Sequence, residues 1–203
     1  VENAKAQKLI LASTSKYRKE LLERFHTPFE AHKPLADEEA LKHDWLKRHP
    51  TFKPRELAEA LAQAKAESLS DQHPNALIIG SDQLVDLDGE ILGKRPDFQS
   101  ACAQLELLSG RSHQLITAVA LAQAGHKTRI FTDVTTVSFR KLSREEIQRY
   151  VEIEKPYDCA GTYKIEGLGV RLIQELQTKD PTAIVGLPLI QLSDELRLRG
   201  FAL

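Results

Sequence analysis

The chain has 203 residues, 41% of them hydrophobic, which is enough to bury a core without disulfide or metal staples. Twenty-eight Lys and Arg against 29 Asp and Glu leave a formal net charge of −1, which excludes a broad basic face for duplex nucleic acid and requires any bound anion to be held by a local pocket. No apolar run approaches the ~20 residues of a membrane-spanning helix, and Cys102 and Cys159 stand outside any CxxC pair, so a reducing, cytoplasmic setting is expected.

The polar opening Val1 to Lys8 leads into only four apolar residues, Leu9 to Ala12, too few for a secretory leader. Leu9 to Ser13 reads as a short buried strand, and Ser13-Thr14-Ser15 then offers N-caps for a helix over 16–25, with Leu21, Leu22 and Phe25 at helical spacing. Phe29 to Lys33 is a candidate second strand, followed by the acidic group Asp37-Glu38-Glu39. Ala40 to Lys53, which holds Trp45, has no clean periodicity and reads as a polar surface excursion.

Pro54 suits the first turn of a helix that Leu57, Leu61, Ala64 and Leu69 carry to about Ser70. Ala76 to Gly80 is the strongest central-strand signal, ending at Ser81-Asp82-Gln83, and Leu84 to Leu92 folds back around Asp88-Gly89 as a hairpin. A helix over 98–108 closes at Ser109-Gly110, two strands follow at 113–122 and 128–139, and Ser143 to Glu146 is a capping box for a helix to about Ile153. Leu168 to Leu172 and Thr182 to Val185 read as strands, and Pro188 to Arg199 as the last helix. Crossovers mixed with hairpins predict an α/β fold with a mixed sheet, spanning 1–203 as one domain.

Four places could carry chemistry. The Ser13 to Arg18 turn offers hydroxyls, free N–H groups and a cation at a helix start, either an anion pocket or plain capping. Asp82 follows a very apolar strand, where a carboxylate is rigid yet reaches a cleft, or merely caps the strand end. Gly93-Lys94 could bring a cation to a phosphate chain, or be a solvated charge. Cys159 to Gly169 holds Gly161, Gly167 and Gly169 and could let backbone approach a ligand lined by Lys164 and Glu166. The chain contains no GxxxxGK[ST], GxSxG, HxxxH or HExxH, and its glycines lack the GxGxxG spacing. P-loop, α/β-hydrolase, zinc and dinucleotide readings therefore lose their usual support. The acidic group at 37–39 could ligate a hard divalent cation with Asp82, or be a solvated loop.

Taken in order, Leu-Ile-Leu-Ala-Ser-Thr-Ser-x-Tyr-Arg at 9–18, Asp37-Glu38, Ala64-Lys65-Ala66, Ile-Ile-Gly-Ser-Asp-Gln at 78–83, Gly93-Lys94, Leu-Ser-Gly at 108–110, Ala-Gly-x-Tyr-x-Ile-Glu-Gly at 160–167 and Val-Gly-Leu-Pro at 185–188 resemble the Maf family of nucleotide pyrophosphatases. The resemblance implies an α/β fold related to inosine-triphosphate pyrophosphatases, a mixed twisted sheet with two lobes around a deep cleft, often as a homodimer. It implies a small nucleotide as the partner, with no nucleic acid or membrane. The implied reaction cuts a nucleoside triphosphate between the α and β phosphates with Mg²⁺, Mn²⁺ or Co²⁺.

Carried over by position, Asp82 matches the general base, and Ser13, Arg18, Lys65 and Lys94 match phosphate contacts. Glu38 matches an acidic position that helps hold metal, together with Asp82. Arg95 and Lys16 depart from the family, which usually has Pro at both places. Family branches differ where this chain has Tyr17, Gln83 and Glu166. The dTTP and UTP branch has Arg, Thr and Gln there, whereas the 7-methyl-GTP branch has Trp, Gln and Glu. Two matches and a retained aromatic imply 7-methyl-GTP, whose cationic base suits an aromatic face and a carboxylate acceptor. A dTTP/UTP pyrophosphatase and a non-catalytic, septation-linked nucleotide-binding protein are the competing expectations.

Overall fold

A computed structural model describes residues 7–203. The polar opening read at 1–6 lies outside the described residues. A seven-stranded mixed sheet runs in the order β2-β1-β3-β5-β6-β7, with β4 paired to the far end of β3. Its strands are β1 (Lys8–Ala12), β2 (Glu30–His32), β3 (Ala76–Leu87), β4 (Glu90–Leu92), β5 (Ser112–Ala122), β6 (Arg129–Phe139) and β7 (Ile173–Gln177). β1 is parallel to β2 and β3, while β3-β5, β5-β6 and β6-β7 are antiparallel. The helices are α1 (Lys16–Glu23), α2 (Glu38–Arg48), α3 (Pro54–Glu67), α4 (Phe98–Leu108), α5 (Arg144–Glu154) and α6 (Leu189–Arg197). None of them is long and apolar enough to cross a membrane.

Side-chain alternation on β3 divides the core. Ile78 packs with Leu57, Leu61 and Ala66 of α3 on one face, while Leu77 and Ile79 pack with Leu21 and Leu22 of α1 and Leu192 and Leu196 of α6 on the other. Farther along, Val85, Leu87, Leu115, Val137 and Phe139 form a separate cluster with α4 and α5. Two lobes thus share the long strands β3, β5 and β6. A cleft opens between them because β1 stops opposite Gly80 and β4 begins only at Val85, which leaves Ser81 to Leu84 without a neighbour on that edge.

Three local expectations need correction. The Ala40 to Lys53 excursion is mostly helix α2. It buries no residue outright, so it shows no clean apolar stripe. Instead Asp37 caps it by accepting from Ala40 N, Glu38 and Glu39 occupy its first turn, and Lys47 and Arg48 its last, all favourable to the helix dipole. Leu168–Leu172 and Ala183–Val185 are 3-10 turns, not strands, and the last strand lies just beyond the first of them. Short apolar runs do not distinguish the two conformations. Asp82 lies within β3, not at its end.

Gly80 lets α3 lie close against the sheet. A Cβ there would lie 2.3 Å from the Ala62 carbonyl oxygen and 2.6 Å from Ala66 N. Gly80→Ala is expected to cost about 1–3 kcal/mol through overpacking, lowering the melting temperature by roughly 3–10 °C in a circular-dichroism scan.

In the far lobe His113 is 3% exposed, bonded through Nε2 to the Tyr163 hydroxyl at 2.9 Å, with Nδ1 unpartnered. Burial pushes it down to about 4. Below its ordinary value of about 6.5 the unfolded chain takes up a proton that the folded one refuses. Stability is therefore full above that value and is lost as pH falls toward about 4, by roughly 3 kcal/mol from this group. Urea unfolding of a His113→Gln variant should show a correspondingly shallower fall.

Candidate active site

The end of β1 turns sharply into α1: Ser13 Oγ accepts from Ser15 N at 3.1 Å, and Ser15 Oγ caps the helix by accepting from Arg18 N at 3.4 Å. This aims Arg18 across the mouth of the sheet, where its Nε donates to the Gly186 carbonyl at 3.2 Å. Gly186 has φ 120°, and a Cβ would meet Arg18 Nε at 3.1 Å, so glycine suits both the turn and the close approach.

Asp82 shares the α3 face of β3 with Gly80. Because Gly80 brings the helix in, Lys65, 8% exposed on the last turn of α3, reaches Asp82 Oδ1 at 2.6 Å. The same ammonium meets Glu38 Oε2 at 2.7 Å, from the first turn of α2. Burial pushes the Asp82 carboxyl above its ordinary range against the pull of Lys65. On Glu38 burial also acts upward, but Lys65, Lys94 and Arg18 outweigh it and hold the carboxyl low. Asp82 Oδ2 is buried and has no hydrogen-bond partner, so one acceptor is left for a water or a cation.

The opposite face of β3 holds the other wall. Ser81 Oγ donates to the Gly186 carbonyl at 2.9 Å. Gln83 Nε2 donates to Thr117 Oγ1 and to the Ala183 and Ile184 carbonyls at 2.9–3.1 Å. A flipped amide would set oxygen against two carbonyls, so the Gln83 oxygen is left as the acceptor for the cleft it lines.

Ser13, Tyr17, Arg18, Glu38, Lys65, Asp82, Gln83, Lys94 and Glu166 all line one cleft of about 730 Å³. One part gathers Arg18, Lys65 and Lys94 around Glu38, with Lys65, Arg18 and Glu38 around Asp82, and Lys33 also lines the cleft. Another part gathers Tyr17, Glu166 and Asp158, which pairs with Lys164 at 3.0 Å. Of the acidic group at 37–39, Glu38 alone lines the cleft, because Asp37 is spent on the cap.

Lys33 and Asp158 are lining residues that sequence reasoning missed, as it missed the Gly186 carbonyl that holds Arg18. Only the glycine between apolar Val185 and Leu187 carried a local signal. Cys159 also lines the cleft, but burial pushes its thiol up to about 12, so it stays protonated and is no nucleophile at neutral pH.

Among the described residues no group of three or more His, Cys, Asp or Glu could hold a metal by itself. Glu38 and Asp82, converging on one ammonium and with Asp82 Oδ2 unpartnered, do fit a hard cation that takes its remaining oxygens from a phosphate ligand and water.

The family model for Maf-like protein matches residues 8–199. A protein named 7-methyl-GTP pyrophosphatase from Aromatoleum aromaticum is 47% identical over 197 residues, covering 97% of each chain. Another of that name, from Bdellovibrio bacteriovorus, is 45% identical over 186 residues, covering 92% of this chain and 94% of its own. Among solved structures, the Staphylococcus aureus Ham1 protein is similar with a TM-score of 0.45 and 13% identity, covering 94% of this chain and 99% of that one.

Removing one partner of a buried ion pair leaves the other charge uncompensated, at a cost of about 3–5 kcal/mol. Lys65→Met should show this deficit to the extent that Asp82 is ionised. Without Lys65 the folded-state pKa of Asp82 rises further above its unfolded value, so the folded state regains stability as pH falls and the group protonates. Urea unfolding at about pH 5 and about pH 8 should give the smaller deficit at the lower pH. An equal deficit at both would mean that Asp82 does not carry it.

Proposed function

The chain belongs to the Maf family, and on that premise we propose that it is a nucleoside triphosphate pyrophosphatase that prefers 7-methyl-GTP. The carrying observation is that one cleft gathers Arg18, Lys65 and Lys94 about Glu38 and an unpartnered buried oxygen of Asp82, and gathers Tyr17 with Glu166 and Asp158. A triphosphate with a methylated, positively charged guanine is complementary to both groups. Both lobes are taken as one catalytic domain, since β3, β5 and β6 run through both.

In this reading Arg18, Lys65 and Lys94 bind the phosphates, with the Ser13 turn at the helix start. Asp82 Oδ2 accepts a proton from the attacking water, whose oxygen bonds to the α-phosphorus as the bond to the β-phosphate oxygen breaks and pyrophosphate leaves. A carboxyl raised by burial is a better proton acceptor than an ordinary aspartate. Glu38 with Asp82 would hold Mg²⁺, Mn²⁺ or Co²⁺, which when bound supplies charge neutralisation to the phosphates. Lys65 holds the two carboxylates together when no cation is near. Tyr17 offers a ring face to the methylated base, while Glu166 and the Gln83 oxygen offer acceptors to the guanine N–H groups. The relatives named as 7-methyl-GTP pyrophosphatases support this substrate over dTTP or UTP. Both cysteines are free thiols, in keeping with a reducing cytoplasm.

Pyrophosphate release over 7-methyl-GTP, GTP, dTTP and UTP, with each of the three metals, tests the reading. The highest kcat/KM is expected for 7-methyl-GTP, and equal or faster turnover of dTTP overturns the substrate assignment. Asp82→Asn should lower kcat by about two orders of magnitude or more while nucleotide affinity stays within about threefold. Normal turnover in that variant removes Asp82 from the reaction.

A further inference from the structure

Gln104 lies on the buried face of α4, 4% exposed, beside Ala101, Leu105 and Leu108. A buried amide is costly unless its donors and acceptor are met. Here its side-chain partners all lie outside the helix. Nε2 donates to the Gly93 carbonyl at 3.0 Å and to Thr162 Oγ1 at 2.5 Å, and Oε1 accepts from Arg95 Nε at 2.6 Å. A flipped amide would oppose N–H to the Arg95 N–H and oxygen to the Gly93 carbonyl, so its orientation is set by its partners. Gly93 and Arg95 are the two neighbours of Lys94, which is exposed and lines the cleft. The third partner, Thr162, has a positive φ of 64° and immediately precedes Tyr163 on the facing wall.

We propose that Gln104 is a positioning residue for Lys94: it holds the Gly93 carbonyl before that lysine and the Arg95 side chain after it, and ties the loop to the segment beginning at Thr162. A lysine on a free loop would lose both backbone and side-chain freedom when it met an anion, whereas this clamp leaves mainly the side chain to be ordered. The inference rests on the reading of Lys94 as a phosphate-binding cation.

A double-mutant cycle separates this role from a purely structural one. In the natural background Gln104→Leu should lower kcat/KM for 7-methyl-GTP by about tenfold. In a Lys94→Ala background the same change should cost less than about twofold, because the group it positions is gone. Equal falls in both backgrounds, or no fall in the first, overturn the proposal. If melting shows that Gln104→Leu does not fold, Arg95→Ala, in a half-buried loop position, takes its place in the cycle, with the same fall expected and the same results overturning the clamp. If the unsubstituted protein hydrolyses no nucleotide, the hydrolase reading has failed instead. The cycle is then read on the dissociation constant of inorganic pyrophosphate by calorimetry, where loss of coupling to Lys94 again overturns the clamp.

Discussion

The cleft depends on how closely one helix can lie against one strand. Gly80 has no side chain, Ala62 and Ala66 have small ones, and α3 therefore approaches β3 until Lys65 bonds Asp82 at 2.6 Å. In a low-dielectric site an ammonium and a carboxylate at that distance are each the condition for burying the other. The pair also sets the position of α2, because the remaining ammonium contact goes to Glu38 in its first turn. An outer helix with no fully buried residue thus presents a carboxylate to the cleft by an ion pair, backed by half-buried Leu41 and Trp45 against the α3 layer.

One strand serves both walls. Alternation sends Gly80 and Asp82 toward α3 and sends Ser81 and Gln83 toward the turn that ends at Gly186. The Gly186 carbonyl accepts from both Ser81 and Arg18, so a cation from the start of the chain is held by a turn near its end. Such a site tolerates little slippage of register, since a shift of one residue would exchange the two faces of β3. Antiparallel pairing of β3 with β5 from Ile78 to Asp86 guards against that shift.

Near neutrality of the whole chain conceals a strongly charged cleft. The −1 net charge says nothing of where charges meet. Arg18, Lys65 and Lys94 come from separate parts of the chain and converge on Glu38, while Asp158 and Glu166 gather near Tyr17. Local convergence of this kind binds a compact, highly charged ligand without the broad field that would attract a polyanion.

The order of short motifs from Leu9 to Pro188 was sufficient to identify the family and to name nine residues that share one cleft. Strongly periodic or capped segments such as α3, α5 and the β5-β6 pair were also legible, because local propensity and burial agree there. Helix α2 was not, since caps, end charges, an ion pair and the half-buried Leu41 and Trp45 hold it rather than a clean apolar stripe. Nor was the place of Asp82, because a strand reads the same whether or not its neighbour continues beside it. The sequence by itself determined which residue types are present and in what order. Tertiary structure decided that β1 ends opposite Gly80, that Lys65 joins Asp82 to Glu38, and that Gln104 holds both neighbours of Lys94. These contacts join residues far apart in the chain, and their geometry follows from strand lengths and helix approach, which no local pattern encodes.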